Sequence, residues 1–218
     1  MITFRSLFFL ALLGGAAWIG YDLYAPRTSH MRAFDPNDVA VLETGMWRSY
    51  YAKEHVRLFN QLSELMRRQY QMPFATSNAV AYQATRAAFV FKEGRKREDY
   101  ERALPYLVKF YQAIREGSDI PFDAEKAAKL ELEWWIIHRQ RAQHGADDLD
   151  RALAELPAEI YQLPADRLRK HARLRQEAMT LRDKRAEAGG VSEADWKKIE
   201  DLLRESWQAL WEEANKGQ

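Results

Sequence analysis

The amino-terminal segment carries the feature that most constrains the fold, an apolar run that few structures can accommodate. From Leu7 to Tyr24 it spans 18 residues, and as a helix it would measure about 27 Å, close to the ~30 Å hydrocarbon core of a bilayer. Trp18, Tyr21 and Tyr24 cluster at one end, as aromatic residues do at membrane interfaces. The pattern predicts a transmembrane anchor over residues 1–25, with these three aromatic side chains at the membrane interface.

A cleaved signal peptide is the alternative interpretation of this segment. No small-x-small site precedes a permissive residue, and Pro26 follows the best-placed alanine, Ala25. Basic residues do not settle the orientation, because Arg5 on one side faces Arg27 and Arg32 on the other. A short tail before the anchor and a large domain after it are typical of a single-pass protein of the bacterial inner membrane with its soluble domain in the periplasm.

Composition excludes several classes of site. The 218 residues have a formal net charge of +1, no Cys, 10 Gly and 7 Pro. Without cysteine there are no disulfides, thiolate-bound metals or thiol catalysis. A near-neutral chain has no global basic character for nucleic acid, so we expect no nucleic-acid partner. We also expect no cofactor. Scarce helix breakers favour an all-α fold.

After a linker at residues 26–34, residues 35–218 are predicted to form one α-helical soluble domain, a bundle of about seven helices. Alternating apolar runs typical of strands are missing. Asp35-Pro36 is a helix-start signal, as are Asp123 and Ser192. No strong breaker follows Pro36 before Pro73, so the first helix of the domain is predicted to run some 35 residues.

The remaining predicted helices follow from periodic apolar stripes and their breakers. They cover residues 73–94, 97–117, 122–145, 147–164, 165–190 and 192–214. The pair over 73–94 and 97–117 resembles a tetratricopeptide helix pair, although no 34-residue repeat recurs.

Two glutamates lie on the apolar face of the first predicted helix. At about 100° per residue, Glu43, Trp47, Tyr50 and Glu54 fall within an arc of about 60°. The helix over 122–145 repeats the pattern with Glu131, Trp135 and His138. Charged side chains in such positions indicate metal ligands, a buried ion pair or a polar core.

These residues allow three interpretations. In the structural one, Arg86 and nearby Tyr or His side chains satisfy the glutamates, because buried charges need partners. A metal site of the ferritin type would need Glu-x-x-His spacing, whereas Glu131 and His138 are seven apart. Glu43 and Glu54 would lie ~16 Å apart along one helix, too far for one ion. The third interpretation is a small-ligand pocket lined by Trp47, Tyr50, Trp134 and Trp135.

The segments "ETGMWRSYYAKEHVRLFNQLSELMRRQY", "RAAFVFKEG" and "LELEWWIIHR" resemble a set of uncharacterised bacterial proteins with one N-terminal anchor and a helical domain. The resemblance covers residues 35–145 and is most specific at Glu43, Trp47, Tyr50 and Tyr51. It implies the architecture and brings no known activity.

The sequence contains no HExxH, G-x-S-x-G, Walker loop or G-x-G-x-x-G, so no catalytic residues are predicted. The favoured hypothesis is a membrane-anchored, non-enzymatic helical interaction protein with a protein partner. It would be an accessory or assembly subunit of a larger membrane complex, for instance a bioenergetic one. The alternative is a helical bundle that binds a metal or small ligand through buried Glu and His.

Overall fold

The computed structural model describes residues 4–217, except for the side chain of residue 146. The predicted all-α bundle with one amino-terminal apolar helix is confirmed. In chain order the α-helices are α1 Phe4–Tyr24, α2 Pro36–Ala52, α3 His55–Tyr70, α4 Phe74–Glu93, α5 Arg97–Glu101, α6 Leu104–Glu116, α7 Ala124–Arg139, α8 Ala146–Tyr161, α9 Arg169–Glu187 and α10 Glu193–Asn215. Short 3₁₀ turns cover Arg141–Gln143 and Ala165–Leu168. Residues 1–3 and 218, the ends of the predicted anchor and domain, lie outside the described residues.

The predicted 35-residue first helix of the domain is wrong, because it is two helices that fold back on each other. α2 ends at Lys53, whose backbone is left-handed with φ 62°. The Lys53 N–H bonds to the carbonyls of Ser49 and Tyr50, and the Glu54 N–H bonds to Ser49 at 2.9 Å. These bonds satisfy the last carbonyls of α2 and turn the chain into α3.

The predicted helix starts are confirmed where a side chain caps the helix. Asp35 Oδ1 accepts from the Asn37 N–H at 2.7 Å, and Asp123 caps α7 in the same way. Ser192 and Asp195 form a reciprocal capping box at α10. The helix predicted over 97–117 is instead two, α5 and α6, because Pro105 occupies the first turn of α6.

The helices of the body form a closed ring of neighbours. Each helix packs against the next one in the order α2, α3, α4, α6, α7, α8, α9 and α10. The last of them, α10, also packs against α2. The pairs therefore close on themselves, whereas tetratricopeptide arrays extend as an open superhelix. Most buried apolar side chains belong to one cluster inside this ring.

The segment predicted as a linker, residues 26–34, is part of the folded body. Met31 is fully buried and Phe34 is 4% exposed. Ser29 and Ser118 form an isolated parallel bridge, in which the Ser29 N–H donates to the Gly117 carbonyl at 2.6 Å. The chain between α1 and α2 is therefore held against the loop after α6.

Replacing Lys53 with glycine should stabilise the protein. An L-residue pays about 1–2 kcal/mol in the left-handed region, and glycine loses about 0.5–1 kcal/mol of that gain to its greater unfolded-state entropy. We expect Lys53→Gly to raise the free energy of unfolding by about 0.5–1 kcal/mol, measured by urea denaturation in mild detergent. Lys53→Val, with a β-branched side chain, should lower it. A glycine variant less stable than the parent would contradict this account of the α2–α3 break.

Candidate functional site

A buried ion pair lies at the centre of the ring. The Glu43 side chain on α2 is 6% exposed and that of Arg175 on α9 is 15% exposed. Arg175 Nη1 donates to Glu43 Oε2 at 2.8 Å, and Nη2 makes a second close contact with Oε1. Trp207 Nε1 on α10 donates to Oε2 at 2.7 Å. The carboxylate therefore has both the opposite charge and the hydrogen bonds that burial requires.

Three indole rings surround the Arg175 guanidinium. Its Cζ lies 5.9 Å from the ring centroid of Trp47, 5.8 Å from that of Trp134 and 6.0 Å from that of Trp207, within the range of cation–π attraction. Burial alone would lower the pKa of Arg175, but the charge and hydrogen bonds of Glu43 outweigh it and raise that pKa. The guanidinium therefore stays charged.

Glu131 on α7 is the second carboxylate of this cluster and has three donors. Tyr111 Oη donates at 2.9 Å, Trp134 Nε1 at 3.1 Å and Trp135 Nε1 at 2.8 Å. Burial raises the pKa of Glu131 above its ordinary value, and the donors together with the charge of Arg175 limit that rise. Burial and the adjacent Glu131 charge raise the pKa of Tyr111 well above its ordinary value, so the phenol remains a proton donor.

Helical spacing places these groups together. Glu43 and Trp47 are four residues apart on α2, and Glu131 lies three and four residues before Trp134 and Trp135 on α7. Side chains at these spacings share a face, so both indoles of α7 reach back to the carboxylate of their own helix. We call Glu43, Trp47, Tyr111, Glu131, Trp134, Trp135, Arg175 and Trp207 the polar core cluster.

His171 lies one helical turn before Arg175 and is 4% exposed. Its Nδ1 is 2.9 Å from the Ser206 carbonyl oxygen and 2.8 Å from Ser206 Oγ. Burial, reinforced by the positive charge of Arg175, lowers the pKa of His171 to about 4. The imidazole is therefore neutral at neutral pH and ties α9 to α10.

Of the residues predicted for a site, Glu43, Trp47, Glu131 and Trp135 belong to the polar core cluster, whereas Glu54 and Arg86 do not. Glu54 is exposed because it follows the break at Lys53, and it pairs with Arg57 at 3.2 Å. Arg86 is exposed on α4, and its Nη2 donates to Tyr106 Oη at 3.1 Å. The predicted pairing of Arg86 with the buried glutamates is wrong, since Arg175 has that role for Glu43.

Tyr50 and His138 belong to a second polar group, outside the cluster. His138 Nε2 lies 3.1 Å from Asp183 Oδ2, and Arg182 Nη1 donates to Asp183 Oδ1 at 2.9 Å. Burial alone would raise the pKa of Asp183, but the contacts with His138 and Arg182 outweigh it and lower that pKa. The positive charges of Arg139 and Arg182 act on Tyr50, where burial still raises the pKa.

A cleft of about 310 Å³ opens beside this second group. Its basic side chains are largely engaged, since Arg141 pairs with Asp183 at 3.5 Å and with Glu187 at 2.6 Å. Within residues 4–217, no group of three or more His, Asp or Glu side chains is placed to hold a metal ion. Glu43, Glu54 and His138 therefore do not converge as metal ligands in the described part of the chain.

Arg175 is the residue that inspection of the sequence missed. Its helix is dense in charge, and the other seven Arg and Lys between 166 and 188 conceal the one that pairs with Glu43. A signal does exist: Arg175 lies three residues after Ala172 and four before Met179, both buried, and so occupies the apolar stripe of α9.

No protein-family model, curated protein or solved structure matches the chain.

Removing the cation of the central pair should be severely destabilising. Arg175→Met leaves Glu43 charged and unpaired in the core, so we expect a loss of about 3–5 kcal/mol in the free energy of unfolding. The double variant Glu43→Gln/Arg175→Met removes both charges of the pair and leaves Glu131 with its three hydrogen-bond donors, so it should recover most of that loss. Arg169→Met, which removes an exposed pair with Asp166, is the control and should change stability by at most about 1 kcal/mol. A double variant as unstable as the single one would contradict the interpretation.

The buried imidazole should make stability depend on pH. His171 has a folded-state pKa of about 4 against an ordinary 6.5, so between these pH values the unfolded chain binds a proton that the folded chain does not. The contribution is complete above pH 6.5 and is lost as the pH falls toward 4, by up to about 3 kcal/mol. The acidic limb of the curve of stability against pH, measured by urea unfolding, should be flatter for His171→Gln than for the parent. Identical limbs for parent and His171→Gln would refute the assignment.

Proposed function

We propose that the protein is a membrane-anchored, non-enzymatic helical interaction protein, an accessory or assembly subunit of a larger membrane complex. The observation that carries the proposal is α1, which is long and apolar enough to cross a membrane. Its side chains stay outside the body: Phe9 is 63% and Leu13 67% exposed. Exposure of such a helix to water would be costly, whereas a bilayer would cover it. We extend the proposal to a single pass through a bacterial inner membrane, with the body in the periplasm.

The interior of the body supports a binding role over a catalytic one. The carboxylate oxygens of Glu43 and Glu131 accept hydrogen bonds from Arg175, Tyr111 and indole N–H groups. A general base needs a lone pair that can reach a substrate proton, and these carboxylates face side chains of the protein. The polar core cluster therefore fits a role in holding the helices together.

The outer face of α4 supports a protein partner. Tyr82 is 52% exposed, and Arg86 lies four residues after it, with its guanidinium 5.3 Å from the ring centroid of half-buried Tyr106. Aromatic side chains and arginine are the residues enriched at protein interfaces. Because this face begins where α4 meets α1, a partner that contacts it would itself be next to the membrane.

The native mass of the protein, extracted at natural abundance in mild detergent, tests the proposal. We expect migration at a mass well above that of the purified 25.5 kDa chain in the same detergent, together with a defined set of membrane-protein chains. Tyr82→Ala/Arg86→Ala should shift the protein back to the mass of the purified chain, since both side chains are exposed and outside the core. Lys198→Ala/Glu205→Ala, which changes two exposed side chains of α10, is the matched control and should leave the large species intact. Migration of the parent at the mass of the purified chain would overturn the accessory-subunit proposal.

A further inference from the structure

An aspartate in the last turn of α1 joins the apolar helix to the body. Asp22 is 4% exposed, and its Oδ1 accepts from the Thr76 backbone N–H at 3.1 Å. Thr76 Oγ1 lies 2.8 Å from the Asp22 carbonyl oxygen and 3.2 Å from Oδ1. Thr76 is in the first turn of α4, where Pro73 at the N-cap position offers no side-chain cap. Asp22 thus supplies from another helix the acceptor that an N-cap side chain normally provides.

The segment that follows α1 is hydrogen-bonded to the body within a few residues of the end of the helix. The Asp119 N–H donates to the Ser29 carbonyl at 3.2 Å, and the Met31 N–H donates to Asp119 Oδ1 at 3.0 Å. The segment that connects α1 to α2 is thus fixed to the body at both of its ends, by Asp22 at the start and by buried Met31 near the end. The body is therefore held in one orientation relative to α1.

This orientation places a particular edge of the body beside the apolar helix. The Phe74 ring centroid lies 6.3 Å from that of Trp18, and the Arg67 guanidinium lies 5.5 Å from the Phe74 ring centroid. Trp18 precedes the end of α1 by six residues, about 9 Å along the helix axis. In a bilayer spanned by α1, the exposed Phe74 ring would lie at the depth of Trp18, in the interfacial region where amphipathic rings concentrate.

We propose that the edge formed by Trp18, Phe74 and Arg67 is a lipid-contact surface, so that the body lies directly on the bilayer with the start of α4 inserted among the headgroups. The inference rests on the proposed membrane anchoring, and it adds a second contact and a fixed orientation. The surface is continuous with α1 and its rings are apolar, and the Arg67 guanidinium, which lies over the Phe74 ring and pairs with Glu64, would lie at the headgroup level. Pairing with α4 also offsets the high cost of placing the Asp22 charge near lipid.

Single-cysteine labelling can test this surface because the chain has no cysteine. The full chain carrying Ala75→Cys, next to Phe74, is labelled with an environment-sensitive fluorophore and reconstituted in vesicles of phosphatidylcholine and phosphatidylglycerol. The vesicles contain lipids brominated near the headgroup end of the acyl chain. We expect several-fold stronger quenching at residue 75 than at Lys198→Cys on α10, whose packing partners are α2 and α9.

Three further variants separate the inference from the anchoring on which it rests. Leu12→Cys, in the middle of α1, should be quenched by deeply brominated lipids. Asp22→Ala should reduce quenching at residue 75 to the level of residue 198 without changing residue 12, whereas Asp22→Asn, which keeps an Oδ1 acceptor, should preserve it. Quenching at 12 with none at 75, or equal quenching at 75 and 198, would overturn the lipid-contact surface and leave the anchor intact. No quenching at 12 would overturn both.

Discussion

The pairing of Glu43 with Arg175 is the constraint on which the arrangement of the body depends. The two residues are 132 positions apart in the chain, and each would be prohibitively costly to bury alone. Only a packing that brings α2 against α9 and α10 satisfies both, because Trp207 must also reach the same carboxylate. An alternative packing of these amphipathic helices would bury one charge without its partner. The pair therefore selects the closed ring over other packings of the helices. Its net contribution to the free energy of unfolding is small by comparison.

Tryptophan connects this pair to the rest of the core. Trp134 donates its N–H to Glu131 while its ring faces the Arg175 guanidinium, so one side chain contacts both a carboxylate and the cation of the neighbouring pair. An indole suits this position because it has one donor and no acceptor to leave unsatisfied. With two carboxylates around one guanidinium, the cluster would hold an excess negative charge. Burial raises the pKa of Glu131, and its hydrogen-bond donors together with the Arg175 charge oppose that rise.

Local signals predicted the helices well, and long-range pairing was the part that they could not predict. Caps at Asp35, Asp123 and Ser192 act within one turn of chain, and so they can be recognised in sequence. The break at Lys53 depends on a left-handed residue that is neither Gly nor Asn, and no propensity marks it. The inward position of Glu43 follows from helical periodicity. Its partner does not, because the place of Arg175 in the apolar stripe of α9 indicates an inward position but not which buried acid it meets.

The same requirement that a buried charge find a partner acts a second time, at the junction of α1 with the body. Asp22 is the one acidic residue of α1, and its Oδ1 accepts a hydrogen bond from the first turn of α4. A residue there without an acceptor for the Thr76 N–H would leave the body free to rotate about its connection to α1. A carboxylate that must be capped by α4 instead couples the direction of the apolar helix to the packing of the core. Two of the buried acids therefore have separate roles: Asp22 determines how the body meets α1, and Glu43 determines how the body closes on itself.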